Sequence, residues 1–475
     1  MSRRGFRGVE SKHRWSMAVA ALLFSFGAIA LGRAHDTGPR APALQNDTSG
    51  GVRQAIETPE LNGFVAFTQG ALLENGLREL FAEVRLAAHS DEPGAPRPVA
   101  LAVALDTSGS MTGAKIQQAR DAVEELIRGM RPIDRVAVIT YDHEARVLVP
   151  LMPAEQALHR YLGARHLVRA TGGTNIPAGL QRAEQALALA PRDAVRRRVL
   201  ISDGRDGSGL QLRDVTQTIR GRAREGVTTS ALGVGVDYEE AWLSNVADAG
   251  RGNYEFLASG VQLSRFLGRE LAAATSTVVD QTELTFAFPP GWRITESYGA
   301  SVVPGSNEVP LGALSQGERR RVTLRLEVAA GGAGSRSDVG VGLRYRSVAE
   351  QLDRNLPVGR LSVSTVAHHS DAVASRDPVL HAEAAATHLD ALQALAVQSW
   401  RDGDGAEAQR MADDNTARLQ ELRAAAPAAA RVLDERIEAA AADRDNFGNL
   451  DARTTEGRAY GLGSNASRRQ RARTF

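Results

Sequence analysis

The stretch Val-Ala-Leu-Ala-Val-Ala-Leu-Asp-Thr-Ser-Gly-Ser, residues 99–110, decides the fold of this chain. Its seven consecutive apolar residues predict a strand that is buried on both faces, as strands of parallel sheets are. Asp106 follows the apolar run, and Ser108 and Ser110 come two and four residues after it. One carboxylate and two hydroxyls at this spacing provide half of a cation site that is built from oxygen ligands alone.

Strand and helix patterns alternate from residue 98 to about 275. We predict strands at 99–105, 135–141, 198–202, 227–234 and 253–257. We predict helices at 154–166, 177–190, 210–224, 238–249 and 260–274, together with a first helix that carries Ile116, Ala119, Val123, Leu126, Ile127 and Met130 on one stripe. Such a series indicates an α/β fold with a doubly wound, Rossmann-like sheet that has helices on both faces.

Two further polar segments follow predicted strands or precede a predicted helix. Gly172-Gly173-Thr174-Asn175 lies directly before a helix start, and Ser202-Asp203-Gly204 ends the strand 198–202. In open parallel sheets, ligands bind outside the carboxyl ends of the strands, where the strand order reverses. We therefore expect Thr174 and Asp203 to meet Asp106, Ser108 and Ser110 at one edge of the sheet.

The ligand types select the metal ion. Hydroxyl, carboxylate and water oxygens suit Mg²⁺, Mn²⁺ or Ca²⁺, and nothing in these segments favours zinc or copper. Asp106 and Asp203 supply two negative charges that balance a divalent ion, whereas the hydroxyls are neutral donors. An ion held in this way keeps an open coordination position, and an acidic side chain of a partner protein is its natural occupant.

At these residues the chain resembles the von Willebrand factor type A (VWA) domain. The likeness covers about 98–275 and is carried by the segments 106–111, 172–176 and 202–204, with further matches at 134–138 and 231–235. It implies a metal-ion-dependent adhesion site in which Ser108, Ser110 and Thr174 bind the ion directly and Asp106 and Asp203 bind directly or through water. The flanks are similar to those of bacterial secreted proteins of this family, and more weakly to inter-alpha-trypsin inhibitor heavy chains.

The pattern of apolar and polar residues changes on both sides of the α/β region. Alternating apolar and polar residues over 276–366 predict an antiparallel β-sandwich, and the strand-like segment 61–97 is expected to join it. The Ala-rich segment 372–446 predicts a helical hairpin or a small bundle. Residues 35–60 have the composition of a flexible linker. The tail 447–475 has few apolar residues and several arginines near its end, and we expect it to be disordered.

The first 34 residues have the pattern of an export signal. A basic leader precedes an apolar run from Trp15 to Leu31, and small residues follow it. Both cleavage by a signal peptidase and retention as a membrane anchor fit this pattern. We therefore predict an exported protein located in the periplasm, in the cell envelope or outside the cell. Any membrane contact is expected only through an uncleaved anchor.

Composition narrows the function. The 475-residue chain has no cysteine, which excludes disulfides, thiolate metal sites and cysteine nucleophiles. Its 57 Lys and Arg residues nearly cancel its 56 Asp and Glu residues, so no global field favours nucleic acid. Nearly all of the positive charge is arginine, and Lys12 and Lys115 are the only lysines.

The leading interpretation is a binding, adhesion or scaffold protein without enzymatic activity, which captures an acidic group of a protein partner through the ion. We assign no catalytic and no cofactor-binding residue. One alternative is a metal-dependent hydrolase of phosphate or ester bonds. Another is a subunit of an ATP-driven assembly machine.

Two acidic positions outside the motifs leave alternatives open, and a third does not. Asp142 fits a solvated turn residue or a residue that supports the metal ligands. Asp206 fits a surface turn, with calcium binding as the alternative. Asp443 begins a pattern that faintly resembles a calcium loop, but Phe447 and Thr454 stand where oxygen donors are needed, so we reject that reading.

Overall fold

The computed structural model describes residues 51–90, 97–258 and 262–475, so the predicted leader 1–34 lies outside the described residues. The strands are β1 (Arg53–Glu57), β2 (Leu61–Phe67), β3 (Ala71–Leu73), β4 (Gly76–Ala88), β5 (Val99–Asp106), β6 (Arg135–Tyr141), β7 (Ala145–Pro153), β8 (Val195–Ser202), β9 (Val227–Val234), β10 (Arg251–Leu257), β11 (Thr277–Ala287), β12 (Arg293–Tyr298), β13 (Glu308–Ser315), β14 (Arg319–Ala330), β15 (Arg336–Ser347) and β16 (Asp353–Val366). The helices are α1 (Ala114–Gly129), α2 (Ala154–Ala164), α3 (Ile176–Leu187), α4 (Leu212–Arg224), α5 (Glu240–Ala249), α6 (Leu263–Thr275), α7 (His369–Ala374), α8 (Pro378–Arg401), α9 (Gly405–Ala425), α10 (Ala430–Asn449) and α11 (Thr455–Arg473).

Strand β5 is buried along its whole length, as its apolar run predicts. Its Val and Leu side chains face a core that is shared with α1, α2 and α6. Ala100, Ala102 and Ala104 face the opposite core, which is shared with α3, α4 and α5. Helices therefore cover both faces of the sheet, and the prediction of a doubly wound α/β fold is confirmed.

The order of strands in this sheet is β10-β9-β8-β5-β6-β7, and all neighbours are parallel except β6 and β7. The edge strand β7 is half exposed and contains two prolines, and it was missing from the sequence prediction. The chain runs from β5 to β6 on one side and later returns to place β8 on the other side of β5. The strand order therefore reverses between β5 and β8, which puts a crevice at their carboxyl ends.

Close packing behind the crevice depends on Tyr141 and Gly179. The Tyr141 hydroxyl donates a hydrogen bond to the Ile201 carbonyl oxygen at 2.9 Å, and so ties the end of β6 to the end of β8. A Cβ atom at Gly179 of α3 would lie 2.6 Å from the Tyr141 ring. Glycine at this position lets α3 approach the sheet directly below the loop that carries Thr174.

Two five-stranded sheets form the β-sandwich. Their orders are β1-β2-β4-β14-β12 and β13-β11-β15-β16-β3, and they share one apolar core. Strand β4 pairs antiparallel with β14 along its length, so the early strands join the later β region as expected. The α/β unit is consequently an insertion within the sandwich.

Part of the predicted linker 35–60 is a strand. Residues 53–57 form β1, which pairs antiparallel with β2 and buries Ile56. The polar composition that indicated a linker is compatible with an edge strand, because pairing with β2 and burial of a single apolar residue hold it in place.

The tail 447–475 is also ordered, contrary to the prediction of disorder. Residues 455–473 form α11, and the preceding Thr454 caps the helix, because its hydroxyl accepts the Gly457 N–H at 3.0 Å. The glycines that lower its helix propensity permit close contacts, since a Cβ at Gly461 would lie 3.1 Å from the Arg401 side chain of α8. Leu462 is fully buried in the α/β core. Tertiary contacts, not local propensity, order this helix.

Candidate metal centre

The first loop of the site is built around Asp106, which is fully buried at the end of β5. Its Oδ1 accepts the Ser108 N–H at 2.7 Å, and its Oδ2 accepts the Ser202 hydroxyl at 2.7 Å. The Thr107 hydroxyl turns away and donates to the Tyr141 carbonyl oxygen at 3.1 Å. Asp106 thus holds the backbone of its own loop and leaves the Ser108 and Ser110 hydroxyls 2.9 Å apart on one side.

The second loop is held against the first by its backbone. The Gly109 N–H donates to the Gly172 carbonyl oxygen at 3.1 Å, and Gly172 has a φ of 72°. A Cβ at Gly172 would lie 2.8 Å from the His143 ring, so glycine is needed for both the conformation and the space. Asn175 caps α3 by accepting the Ala178 N–H at 3.0 Å. These contacts place Thr174 directly before the helix.

The third loop brings Asp203 to the same point. Asp203 is fully buried, and its Oδ1 accepts the Ser110 hydroxyl at 2.7 Å. A Cβ at Gly204 would lie 2.9 Å from Thr174 Oγ1 and 3.5 Å from Ser110 Oγ. The structure therefore brings Asp106, Ser108, Ser110, Thr174 and Asp203 together, and Gly204 leaves room for their hydroxyls to converge.

The electrostatics of the cluster favour a cation. Burial raises the pKa of Asp106 to about 6, and the hydrogen bonds from Ser108 and Ser202 oppose that rise. The charge of Asp203 raises it further. Among the described side chains that contact the two carboxylates, Lys115 supplies the single positive charge, with Nζ 2.5 Å from Asp203 Oδ2. A buried pair of carboxylates with one ammonium has an excess negative charge.

These residues fit a hard divalent ion. The donors are hydroxyl and carboxylate oxygens, which Mg²⁺, Mn²⁺ and Ca²⁺ prefer. In the part of the chain that the structure describes, no three His, Cys, Asp or Glu side chains are grouped as a metal site. The hydroxyls of Ser108, Ser110 and Thr174 would consequently have to provide most of the protein ligands. Asp106 and Asp203 would supply the balancing charge.

Two contacts of the site were missed from sequence, and the structure decides between the two alternatives for a third residue. Ser202 binds Asp106 and Lys115 binds Asp203, and neither was predicted to do so. Lysine is rare in this chain, and that rarity is the sequence signal that points to Lys115. Asp142 is buried, not solvated; its carboxylate contacts Thr171 at 3.4 Å, and its carbonyl oxygen accepts the Asn175 N–H at 2.6 Å. It supports the loop that carries Thr174.

Asp206 has a local structural role. Its Oδ1 accepts the N–H of Ile176, the first residue of α3, at 3.0 Å, and its Oδ2 accepts the Ser208 hydroxyl at 2.5 Å. Oδ1 therefore joins the third loop to the start of α3, whereas Oδ2 braces the third loop internally. The Thr174 carbonyl oxygen accepts the Gly207 N–H at 2.7 Å and makes the same connection.

The comparison with known proteins agrees with this geometry. Residues 101–205 match the family model for the von Willebrand factor type A domain. The structure is similar to a von Willebrand factor type A protein from Catenulispora acidiphila, with a TM-score of 0.60 and 22% identity over 81% of this chain and 91% of that one. It is also similar to the ArnB paralog VWA2 from Sulfolobus acidocaldarius, with a TM-score of 0.60 and 16% identity over 87% of this chain and 99% of that one. The chain therefore carries a VWA domain, and the likeness to these structures extends beyond it.

Two relatives found by sequence are longer than this chain and match it over less than half of its length. The Escherichia coli protein YfbK is 28% identical over 40% of this chain and 34% of its own length. Human inter-alpha-trypsin inhibitor heavy chain H4 is 29% identical over 44% of this chain and 24% of its own length. The chain thus spans about a third or less of these two relatives. VWA domains in general mediate protein interactions and adhesion, some of them through a bound divalent ion, and they are typically not enzymes.

No helix within residues 51–90, 97–258 and 262–475 is both long and apolar enough to cross a membrane. The apolar run Trp15 to Leu31, on which the prediction of export or anchoring rests, lies outside those residues.

Proposed function

We propose that this chain is an exported bacterial binding protein that captures an acidic group of a protein partner through a divalent ion. Asp106, Ser108, Ser110, Thr174 and Asp203 would hold the ion, and Mg²⁺ is the preferred candidate, with Mn²⁺ and Ca²⁺ as alternatives. The proposal assigns the chain no catalytic role. Export is inferred from the leader, which directs the protein to the periplasm, the cell envelope or the exterior.

One observation carries the proposal. Five oxygen-bearing side chains from three remote loops meet at the carboxyl edge of the sheet, and two of them are fully buried carboxylates. Within the residues that the structure describes, no arginine pairs with either carboxylate; Asp203 pairs with Lys115, and Asp106 is held by hydroxyl and N–H donors. A buried carboxylate needs a counter-charge, and a divalent ion would provide it while its remaining coordination position stays open to a partner.

In this proposal the β-sandwich and the C-terminal helices act as a scaffold for the VWA domain. The VWA domain is inserted in the β-sandwich, and α6 runs directly into β11 of that sandwich. The Ser315 hydroxyl of β13 donates to the Ala273 carbonyl oxygen of α6 at 2.9 Å.

The direct test measures Mn²⁺ binding by the full chain from the paramagnetic resonance of the free ion. Asp106→Asn removes one negative charge but keeps the shape of the side chain, and Ser110→Ala removes one neutral donor. Each is expected to weaken binding by more than the roughly 10–100-fold that loss of a supporting residue causes. Asp214→Asn is the matched control, because Asp214 is an exposed acid of α4 outside the cluster. Full Mn²⁺ affinity in Asp106→Asn would refute the site.

A second measurement tests the function. Partner capture from the exporting cell is compared in Mg²⁺ and in chelator, with Asp106→Asn and Asp214→Asn run in parallel. Capture that depends on Mg²⁺, that Asp214→Asn retains and that Asp106→Asn lacks is the expected result. Identical capture in chelator would contradict a metal-mediated contact, and turnover of a model phosphoester by the purified chain would favour a hydrolase instead.

A further inference from the structure

Lys115 lies beside the proposed metal edge, although no sequence motif includes it. By the metal edge we mean the cluster of Asp106, Ser108, Ser110, Thr174 and Asp203. It is the second residue of α1, and its Nζ lies 2.5 Å from Asp203 Oδ2 and 3.4 Å from the Ser110 carbonyl oxygen. Its side chain is 28% exposed, whereas that of Asp203 is fully buried. The ammonium therefore contacts one oxygen of Asp203, Oδ2, while the other oxygen, Oδ1, accepts the Ser110 hydroxyl.

The position of this lysine runs against local preference. A cation in the first turn of a helix meets the positive end of the helix dipole, and the first turn of α1 contains no acidic residue to offset it. The stabilising contact comes from Asp203, which lies 88 residues away in sequence. The placement is thus explained by the cluster and not by the helix.

The fold also shapes a place for a compact cation. Gly235 follows β9 with a φ of 79°, and a Cβ there would lie 3.2 Å from both Cε and Nζ of Lys115. The chain has 57 Lys and Arg residues, of which only Lys12 and Lys115 are lysine. A guanidinium is a wide planar fork, whereas an ammonium is a point charge that fits between Gly235 and Asp203.

Charge balance shows what this lysine would do, on the assumption that the proposed ion binds here. Two carboxylates and a divalent ion sum to zero, whereas adding Lys115 leaves the loaded centre with one positive charge. We infer that Lys115 is a specificity-determining residue: it lowers the affinity of the centre for the divalent ion and makes the loaded centre selective for an anionic ligand group. One carboxylate of a partner then completes neutrality.

The test compares Mn²⁺ binding by the full-length parent chain, Lys115→Gln and the matched control Arg128→Gln. Arg128 is an exposed cation of the same helix, paired with Glu124 at 2.9 Å and about 20 Å along the axis from Lys115. Lys115→Gln is expected to bind Mn²⁺ more tightly, on the order of tenfold, because the repulsion between the ion and the ammonium is lost. Arg128→Gln should bind like the parent. Equal or weaker binding by Lys115→Gln would overturn the inference.

Acetate serves as the carboxylate probe and acetamide as its neutral counterpart. In the parent, acetate is expected to tighten Mn²⁺ binding several-fold and acetamide to leave it unchanged. In Lys115→Gln the effect of acetate should shrink. An acetate effect of the same size in both proteins would exclude a role of Lys115 in ligand selection.

Folding is monitored separately. The unfolding midpoint of Lys115→Gln in chelator is expected to fall, since Asp203 loses its counter-charge, and to return on addition of Mn²⁺; no recovery would count against the inference. Lys115→Met, which keeps the length of the side chain beside Gly235, is the second variant if the first does not fold. A parent chain that binds no Mn²⁺ at all would defeat the proposed function, whereas normal Mn²⁺ binding that Lys115→Gln leaves unchanged would defeat only the role of Lys115.

Discussion

At the carboxyl edge of the parallel sheet, two buried carboxylates meet one ammonium and several hydroxyls, whereas under the C-terminal helix the buried carboxylates meet guanidinium groups. Asp443 of α10 pairs with Arg468 of α11 and also accepts hydrogen bonds from Gln393 at 2.8 Å and Tyr460 at 2.7 Å. Asp390 of α8 lies close to two further arginines, Arg436 at 3.1 Å and Arg471 at 3.4 Å.

The difference separates the proposed ligand site from a cluster that only stabilises the fold. Around Asp443 the charges cancel and every carboxylate oxygen has donors, so nothing remains for a ligand to satisfy. Around Asp106 and Asp203 the charge does not cancel, and the additional donors are hydroxyls that can also bind a cation. Burial of acids alone does not indicate a metal site; an uncompensated charge beside neutral oxygen donors does.

The largest effect is expected from removing Asp443, the carboxylate of the cluster in which the charges cancel. Asp443→Ala leaves the buried guanidinium of Arg468 without its carboxylate and should lower the free energy of unfolding by about 3–5 kcal/mol. Urea unfolding followed by circular dichroism measures it. Asp434→Ala is the control, because Asp434 pairs with Arg423 on the surface and such pairs contribute about 1 kcal/mol or less. A loss of unfolding free energy as small as that of the control would show that the Asp443 cluster does not stabilise the fold.

A smaller change in the free energy of unfolding is expected when the cluster of Asp106 and Asp203 binds a cation. Mg²⁺ at 100 times its dissociation constant should stabilise the parent by about 2.7 kcal/mol. Asp106→Asn should lose most of this gain, and Asp443→Ala, to the extent that it folds, should keep it. Thermal unfolding in Mg²⁺ and in chelator provides the comparison. Equal stabilisation of the parent and Asp106→Asn would place the bound ion elsewhere.

The second loop of the cluster is held by neutral backbone and amide hydrogen bonds of modest strength. Asn175→Ala removes the cap of α3, which accepts the Ala178 N–H, and should lower the free energy of unfolding by about 1 kcal/mol. Chemical denaturation in chelator measures the change. A loss comparable to that of Asp443→Ala would mean that the cap also organises the loop around Thr174.

The smallest effect distinguishes the two clusters most sharply. In chelator at neutral pH, Asp106→Asn should leave the free energy of unfolding within about 0.5 kcal/mol of the parent or raise it, because it removes an uncompensated buried charge. The amide can still accept from Ser108 and donate to Ser202. Strong destabilisation in chelator would show that Asp106 stabilises the fold as Asp443 does, so that the two clusters would not differ in role.

The convergence of the oxygen-bearing side chains at the sheet edge was largely predictable because its signals are local. An apolar run that ends in Asp106, a glycine pair before Thr174, and a strand end at Asp203 are each readable in short windows, and the sheet rule brings strand ends together. Lys115 was not predictable in this way, since its contact with Asp203 spans 88 residues and opposes the local helix preference.

The C-terminal helix shows the converse. Its glycines and arginines have the composition of a disordered tail, and no periodic apolar stripe marks α11. Order comes from Leu462 in the α/β core, from Arg468 on Asp443, and from Arg473, which donates to the Gly252 carbonyl oxygen at 2.7 Å. None of these partners lies within α11 itself.

By itself, the amino-acid sequence determined the α/β class, the bounds of strands such as β6 and β9, and the five oxygen donors at the sheet edge, because hydrophobic period and strand-end chemistry are short-range properties. Only the tertiary structure decided which buried acids are neutralised. Neutralisation depends on the positions of cations that are distant in sequence, such as Lys115 and Arg468. Packing between elements sets those positions, and no local sequence pattern encodes them.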